Sequence, residues 1–227
     1  MAGEQVDLAA ALRAAGVSAV LADRLAVYGA LLLEANRSVN LTGAKDVAAL
    51  VPHLLDALTL AGDVSESLVD VGSGGGLPGI PLAIATGARV LLVEPTAKKA
   101  AFLARALGEC GLAGEAIAER AEVAARDARF REQFAFATAR AVASAPTVAE
   151  LTIPFLRIGG RAMLQRTIME SRERQALEDA APMLGATLIE ERQLEGEHRV
   201  LVLQKQTPTE QRFPRRNGVP EKRPLCL

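Results

Sequence analysis

From residue 68 onward, short apolar runs alternate with longer segments whose apolar residues repeat at helical spacing. The runs predict strands over 68–71, 89–94, 114–119, 135–140, 160–165, 187–193 and 198–205. Helices are predicted over 78–86, 96–110, 120–129, 147–157 and 169–183. Such alternation is typical of a mostly parallel sheet with helices on both faces. Only a short connection around Gly196 separates the last two strands, so an antiparallel hairpin should close the sheet.

The first 62 residues have a different pattern and predict a helical extension. Leu21, Leu25, Tyr28 and Leu32 recur at helical spacing. Residues 36–43 are typical of a turn and should interrupt the helix. Beyond that turn, Asp46 can cap a second helix through Leu60, which Pro52 should kink.

The C-terminal segment is basic and rich in proline. From residue 205 it holds Lys205, Arg212, Arg215, Arg216, Lys222 and Arg223 against Glu210 and Glu221. Its prolines favour an extended backbone. Such a segment is either solvated or follows RNA phosphates. We therefore divide the chain into a helical extension (1–62), an α/β domain (63–205) and a basic tail (206–227) packed on or near that domain.

Composition narrows the class of protein. Half of the 227 residues are hydrophobic and the formal net charge is −1, so a large core fits and charge alone does not indicate nucleic acid. The chain has two cysteines, Cys110 and Cys226, so we expect neither a disulfide framework nor a zinc site, and we predict no metal. The N-terminus lacks a basic signal peptide, and the longest apolar run (26–33) is too short to span a bilayer. These features predict a soluble cytoplasmic protein.

The most informative segment is a glycine-rich loop after the first strand, residues 68–79. Asp70 lies on the strand, and Gly72 and Gly74 follow in a turn where a ligand can approach the backbone closely. The next strand ends in Glu94, at a distance that suits contact with ribose hydroxyls. This arrangement predicts a nucleoside-containing cofactor.

Two cofactor classes fit the loop. Gly74, Gly76 and Gly79, with Glu94, match the spacing of a dinucleotide fingerprint and therefore a nicotinamide-dependent oxidoreductase. However, a carboxylate at Asp70 would repel a pyrophosphate, whereas it suits the cationic methionine end of S-adenosylmethionine. The loop therefore favours a methyltransferase over the oxidoreductase, and a glycine turn that binds no ligand is a third alternative.

Several motifs, in order, resemble one family. They are 39–42 (Val-Asn-Leu-Thr), 53–58 (His-Leu-Leu-Asp-Ala-Leu), the loop 70–81, 120–122 (Arg-Ala-Glu), 139–141 (Ala-Arg-Ala) and 214–220 (Pro-Arg-Arg-Asn-Gly-Val-Pro). The chain resembles the bacterial small-subunit ribosomal RNA guanine-N(7) methyltransferases, the glucose-inhibited division protein B family. The resemblance implies a class I S-adenosylmethionine-dependent methyltransferase, with a Rossmann-like seven-stranded sheet, that methylates a guanine of 16S rRNA near the decoding centre. Its partner would be 16S rRNA or the small ribosomal subunit, and we expect a monomer. A methyltransferase on another substrate is the alternative.

The resemblance, together with the loop, also implies site residues. Those expected at the cofactor are Asp70, Gly72, Gly74, Leu77, Glu94, Pro95, Thr96, Ala121, Glu122 and Arg140. Arg140 is also the expected catalytic residue, beside the target base; the alternative is a structural ion pair with Asp70 or Glu94. Those expected at the RNA are Asn40, Arg166, Arg199, Arg215 and Arg216.

Two departures from the family pattern concern the target side. Gln165 and Arg166 stand where the family commonly has Lys-Gly, and His198-Arg199 replaces an Arg-His order. We expect Arg166 or Arg199 to take over the role of the displaced cation. His53 is expected to pack its helix on the sheet, and Asn40 to fix the preceding turn through side-chain hydrogen bonds.

Overall fold

The computed structural model describes residues 7–140, 143–166, 169–194, 196 and 198–227. Its strands are β1 (Ser67–Val71), β2 (Arg89–Val93), β3 (Gly114–Ile117), β4 (Phe134–Arg140), β5 (Leu156–Arg166), β6 (Ala186–Gln193) and β7 (Arg199–Lys205). They form one sheet in the order β3-β2-β1-β4-β5-β7-β6. The first five strands are parallel, and β7 runs antiparallel to both of its neighbours. The predicted parallel sheet with a terminal hairpin is confirmed.

The helices are α1 (Leu8–Ala14), α2 (Ala19–Val39), α3 (Val47–Leu58), α4 (Gly79–Thr86), α5 (Ala97–Glu109), α6 (Ala121–Ala124), α7 (Ala145–Thr152), α8 (Ser171–Met183) and α9 (Val219–Lys222). No helix in the described part of the chain is long and apolar enough to cross a membrane.

The central strands are buried on both faces. Their alternate residues point to opposite sides, and helices cover each side. In β1, Val69 and Val71 belong to one apolar cluster, together with residues of α7 and α8. Leu68 belongs to the other, which includes residues of α2, α3 and α5. The N-terminal extension thus packs into one of the two clusters instead of standing apart from the core.

The turn after α2 starts later than the sequence predicts. The helix continues through Asn36 and ends only at Asn40, which adopts the left-handed conformation with φ of 53°. Asn36, not Asn40, fixes the turn. Its Oδ1 accepts from the N–H groups of Leu41 and Thr42, and its Nδ2 donates to the carbonyl oxygens of Thr42 and Ala44. The prediction that Asn40 fixes the turn is therefore wrong, while its predicted contact with RNA stays a prediction. The cap by Asp46 is confirmed by the Ala49 N–H, which donates to its Oδ1 at 2.9 Å.

Two other predicted helices are shorter. The helix expected over 147–157 ends at Thr152, a 3₁₀ turn follows over Ile153–Phe155, and β5 begins at Leu156. Pro154 cannot donate the hydrogen bond that a continued helix needs, which accounts for the change. The helix expected over 120–129 covers only four residues, Ala121–Ala124.

The C-terminal tail packs on the domain and is not extended throughout. Phe213, Pro220 and Leu225 are buried, and α9 forms its last turn of helix. Arg131, on the domain, donates to the carbonyls of residues 209, 210 and 213, and Arg126 donates to those of 211, 212 and 214. The tail is thus held through its backbone, and two of its prolines, Pro214 and Pro220, are buried.

Candidate functional site

A cavity of about 560 Å³ opens at the carboxyl ends of β1, β4 and β5. In a parallel sheet this edge is the usual position of a ligand site. Its lining comes from the α2–α3 loop, α3, the glycine loop and the ends of three strands. The residues are Leu41, Thr42, Gly43, His53, Asp56, Gly72, Ser73, Gly74, Gly75, Leu77, Arg140, Gln165, Arg166 and His198.

The glycine loop is held in an unusual conformation that suits close approach of a ligand. Gly72, Gly74 and Gly76 have φ values of 72°, 54° and 97°, which other residues rarely adopt. From the opposite side, the buried Tyr28 hydroxyl of α2 donates to the Gly75 carbonyl at 2.7 Å. A Cβ added at Gly75 would lie only 2.9 Å from the carbonyl oxygen of Leu41. The N-terminal helices therefore determine the position of the loop.

Glu94 connects the glycine loop to the end of β2. Its side chain is 5% exposed, its Oε2 accepts from the Gly74 N–H at 3.0 Å, and its Oε1 accepts from the Thr96 N–H at 2.9 Å. Each oxygen keeps a second lone pair, which a ribose hydroxyl can use. Pro95 and Thr96 follow at the surface, and both are exposed.

Asp70 lies beneath the loop and does not line the cavity. It is 1% exposed, and its Oδ2 accepts from the Gly79 N–H, at the start of α4, at 3.2 Å. Burial raises its pKa to about 7, against smaller opposing effects of the Gly79 N–H and Arg140. Its predicted contact with the cofactor stays a prediction. The structure places its carboxyl under the glycine loop, at the start of α4.

Arg140 reaches the cavity from the end of β4. Its Nη1 lies 3.4 Å from Oδ2 of Asp56, on α3 of the N-terminal extension. The ion pair with Asp70 or Glu94 that the sequence left open is therefore not the one formed. Asp56 also faces His198, whose Nδ1 lies 3.8 Å from its Oδ1, and its main-chain oxygen accepts from Gln165 Nε2 at 3.0 Å. One helical residue thus connects the ends of β4, β5 and β7.

His53 lies one turn before Asp56 on α3 and lines the same cavity. Burial lowers the pKa of its imidazole, and the charge of Arg140 lowers it further. Its ring is therefore neutral at neutral pH and can offer a hydrogen-bond donor and acceptor to a ligand. The sequence predicted a packing role for this residue, and the structure adds a place in the cavity wall.

Among the described residues, three of the four arginines predicted at the RNA have a carboxylate partner, and Arg216 has none within 4.0 Å. Arg166 pairs with Glu173 at 2.6 Å, Arg199 with Glu191 at 2.5 Å, and Arg215 with Glu150 at 2.6 Å. Of these three only Arg166 lines the cavity. Arg216 is exposed and lies beside a shallow surface hollow that also includes Glu122 and Asn217.

Ala121 and Glu122 begin α6, after β3, on the side of the loop away from Arg140. Both are buried. The Glu122 carboxylate accepts from Arg120 at 2.9 Å and from the Gly218 N–H of the tail at 2.8 Å. Its charge is thus directed to the tail, so any contact of this segment with an adenine would come from Ala121 or from the backbone.

Sequence reasoning missed the part of the cavity wall that the N-terminal extension supplies. Asp56, Leu41 and Thr42 belong to motifs of the family resemblance, whereas Gly43 does not. Nothing in the sequence indicated that these residues would lie beside the end of a strand far along the chain. The spacing of Asp56 three residues after His53, on one helix face, was the only available indication. The motif residue Ala141, and Thr167 after Arg166, lie outside the described residues.

Comparison with known proteins decides between the alternatives. A family model described as rRNA small subunit methyltransferase G matches residues 22–202. The chain belongs to this family. The ribosomal RNA small subunit methyltransferase G of Rubrobacter xylanophilus is 42% identical over 215 residues, which cover 86% of this chain and 81% of that protein. That of Dehalococcoides mccartyi is 38% identical over 238 residues, covering 96% and 99%.

A solved structure confirms the predicted fold class. An O-methyltransferase from Bacillus cereus, in complex with SAH, has a TM-score of 0.56 at 18% identity and covers 83% of this chain and 92% of its own. At that identity the likeness concerns the fold alone. Membership of this family establishes the chemistry: the chain is a methyltransferase with S-adenosylmethionine as its cofactor. The alternative interpretation, a nicotinamide-dependent oxidoreductase, is wrong.

Proposed function

We propose that this chain methylates N7 of a guanine in 16S rRNA, near the decoding centre, with S-adenosylmethionine as methyl donor. The observation that supports it best is the cavity that brings Arg140 within reach of the glycine loop, in a chain of this family. The cavity is open to the surface, so a base of a much larger molecule can enter it.

The residues present fit the cofactor. The left-handed glycines at 72, 74 and 76 leave the backbone open, and Glu94 is buried at the strand end where a ribose would lie. We infer that Gly72, Gly74 and Leu77 contact the methionine portion, and that Glu94, Pro95, Thr96 and Ala121 border the ribose and adenine. Bound there, S-adenosylmethionine supplies a methyl group activated by a positively charged sulfur.

The chain's own contribution to the reaction is positioning. N7 of guanine has a free lone pair and no proton to lose, so its methylation requires no general base. Alignment of the nucleophile with the methyl carbon can supply much of the acceleration. Arg140 is suited to hold the guanine, because a guanidinium can donate to O6 beside N7. The Asp56 carboxylate keeps Arg140 at the cavity, and neutral His53 gives the base a polar but uncharged neighbour.

The direct test is methyl transfer from tritiated S-adenosylmethionine to naked 16S rRNA and to purified 30S subunits. Borohydride and aniline cleavage then maps N7-methylguanine to a single nucleotide. One cleavage product near the decoding centre is expected. Label in an exocyclic amine, at another nucleotide, or only in protein or small molecules would overturn the proposal.

We also infer that the enzyme acts as a monomer in the cytoplasm, where ribosomal subunits assemble. Light scattering after size exclusion should give a mass near the 23.9 kDa of one chain. A stable dimer at micromolar concentration would contradict this.

A further inference from the structure

The α2–α3 loop, residues 40–46, forms a fixed rim of the cavity. Leu41, Thr42 and Gly43 line the cavity. Asn36 holds the loop through four hydrogen bonds of 2.7 to 2.9 Å. At its two ends the helices α2 and α3 fix the backbone. A ligand at this rim therefore meets a surface that is already ordered.

Two cations flank this rim. Arg37 lies in the last turn of α2, Lys45 precedes the cap of α3, and both side chains are exposed. Among the residues that the structure describes, neither has a carboxylate oxygen within 4.0 Å. Their positive charges are thus available to an anion.

Three of the four arginines predicted at the RNA differ in this respect; Arg216, the fourth, is exposed like Arg37 and Lys45 but does not line the cavity. Arg166, Arg199 and Arg215 would each have to leave a carboxylate before they could bind a phosphate. For Arg215 the partner, Glu150, is fully buried, and separation would leave an unpaired charge in the core. Arg37 and Lys45 can bind phosphate without breaking an ion pair.

We propose that Arg37 and Lys45 bind backbone phosphates of the RNA strand on either side of the target guanine. This inference rests on the proposed function, since it assigns the RNA-binding surface of the same site. Phosphate contacts of this kind fix the register of a strand, while the base edge is recognised inside the cavity. The α2–α3 rim would thus position the strand, and Arg140 the base.

The test is RNA binding and methylation by the double variant Arg37→Gln/Lys45→Gln over a series of salt concentrations. Each phosphate contact on a single strand contributes about 0.7 to the slope of log K against log salt, so the slope should fall by about 1.4. The KM for RNA should rise while kcat at saturating RNA and the Kd for S-adenosylmethionine stay unchanged. Arg89→Gln is the matched control: Arg89 is exposed at the start of β2, on the opposite edge of the sheet, and should leave the slope unchanged.

Each other outcome is informative. If the wild type methylates RNA and the double variant keeps the wild-type slope, the inference is overturned and the proposed function stands. A loss of about 0.7 in Arg89→Gln, which removes one charge where the double variant removes two, would also overturn it, because the effect would then reflect net charge and not position. If the wild-type chain neither binds nor methylates RNA, the proposed function fails and the inference with it.

Discussion

Replacement of Asp70 by Asn tests the electrostatics beneath the glycine loop. Burial raises the pKa of Asp70 from 3.8 to about 7. The folded chain therefore keeps this proton at pH values where the unfolded chain has lost it. The raised pKa contributes stability that is complete below pH 3.8 and is lost as the pH rises toward 7. At about 1.36 kcal/mol per pKa unit, the full effect is about 4 kcal/mol.

The assay is urea unfolding of the wild type and Asp70→Asn, without cofactor, from about pH 5 to pH 8.5. Asn keeps an acceptor for the Gly79 N–H but cannot ionise, so the difference between the two chains isolates the carboxyl. The difference in unfolding free energy, variant minus wild type, should increase by about 2.5 kcal/mol as the pH rises from about 5 to about 8.

Asp127→Asn serves as the control, because Arg129 lowers the pKa of Asp127. Asp127 therefore titrates below the pH range measured. The difference in unfolding free energy between Asp127→Asn and the wild type should not change with pH over that range. If the difference between Asp70→Asn and the wild type is equally flat, Asp70 does not carry the raised pKa and the reasoning fails.

Three further variants test the site and the tail. Arg140→Ala should lower kcat at least about 100-fold with little change in unfolding free energy, measured by methyl transfer; near-wild-type turnover would exclude a role at the base. Glu94→Ala should weaken S-adenosylmethionine binding, measured by calorimetry, by about tenfold or more, because it removes a ribose acceptor and a hydrogen bond to Gly74. Glu94→Gln should recover part of this loss. Glu150→Ala should lower the free energy of unfolding by about 3–5 kcal/mol, because Arg215 loses its buried partner; a loss below about 1 kcal/mol would show that the tail docks without this pair.

The fold could be predicted from sequence where local pattern and final structure agree. The strands around the glycine loop are apolar runs buried on both faces, and glycines mark the turn, so 68–79 and Glu94 were identified correctly as one unit. The end of α2 could not be predicted in this way. Residues 36–39 are of types that favour turns, yet they remain helical until Asn40, in the left-handed conformation, ends the helix. Propensity is a weak signal where tertiary packing supports another turn of helix.

The partners of the site's cations could not be predicted for a different reason. Arg140 and Asp56 are 84 positions apart, and Arg215 and Glu150 are 65 positions apart. Sequence spacing carries no information on contacts of that range; only the order of strands and the docking of the helices place these groups together. The residues expected at the cofactor remain predictions; they could be named from sequence because most of them lie on or directly after two predicted strands.

The hydrogen bond from Tyr28 to the Gly75 carbonyl makes the extension and the glycine loop one thermodynamic unit. Local opening of α2 removes the loop's support, so the open form cannot bind cofactor well. Binding must then shift the equilibrium away from opening, and amide hydrogens of α2 should exchange more slowly as cofactor concentration rises. Exchange of the α2 amides would thus report whether the cofactor site is occupied.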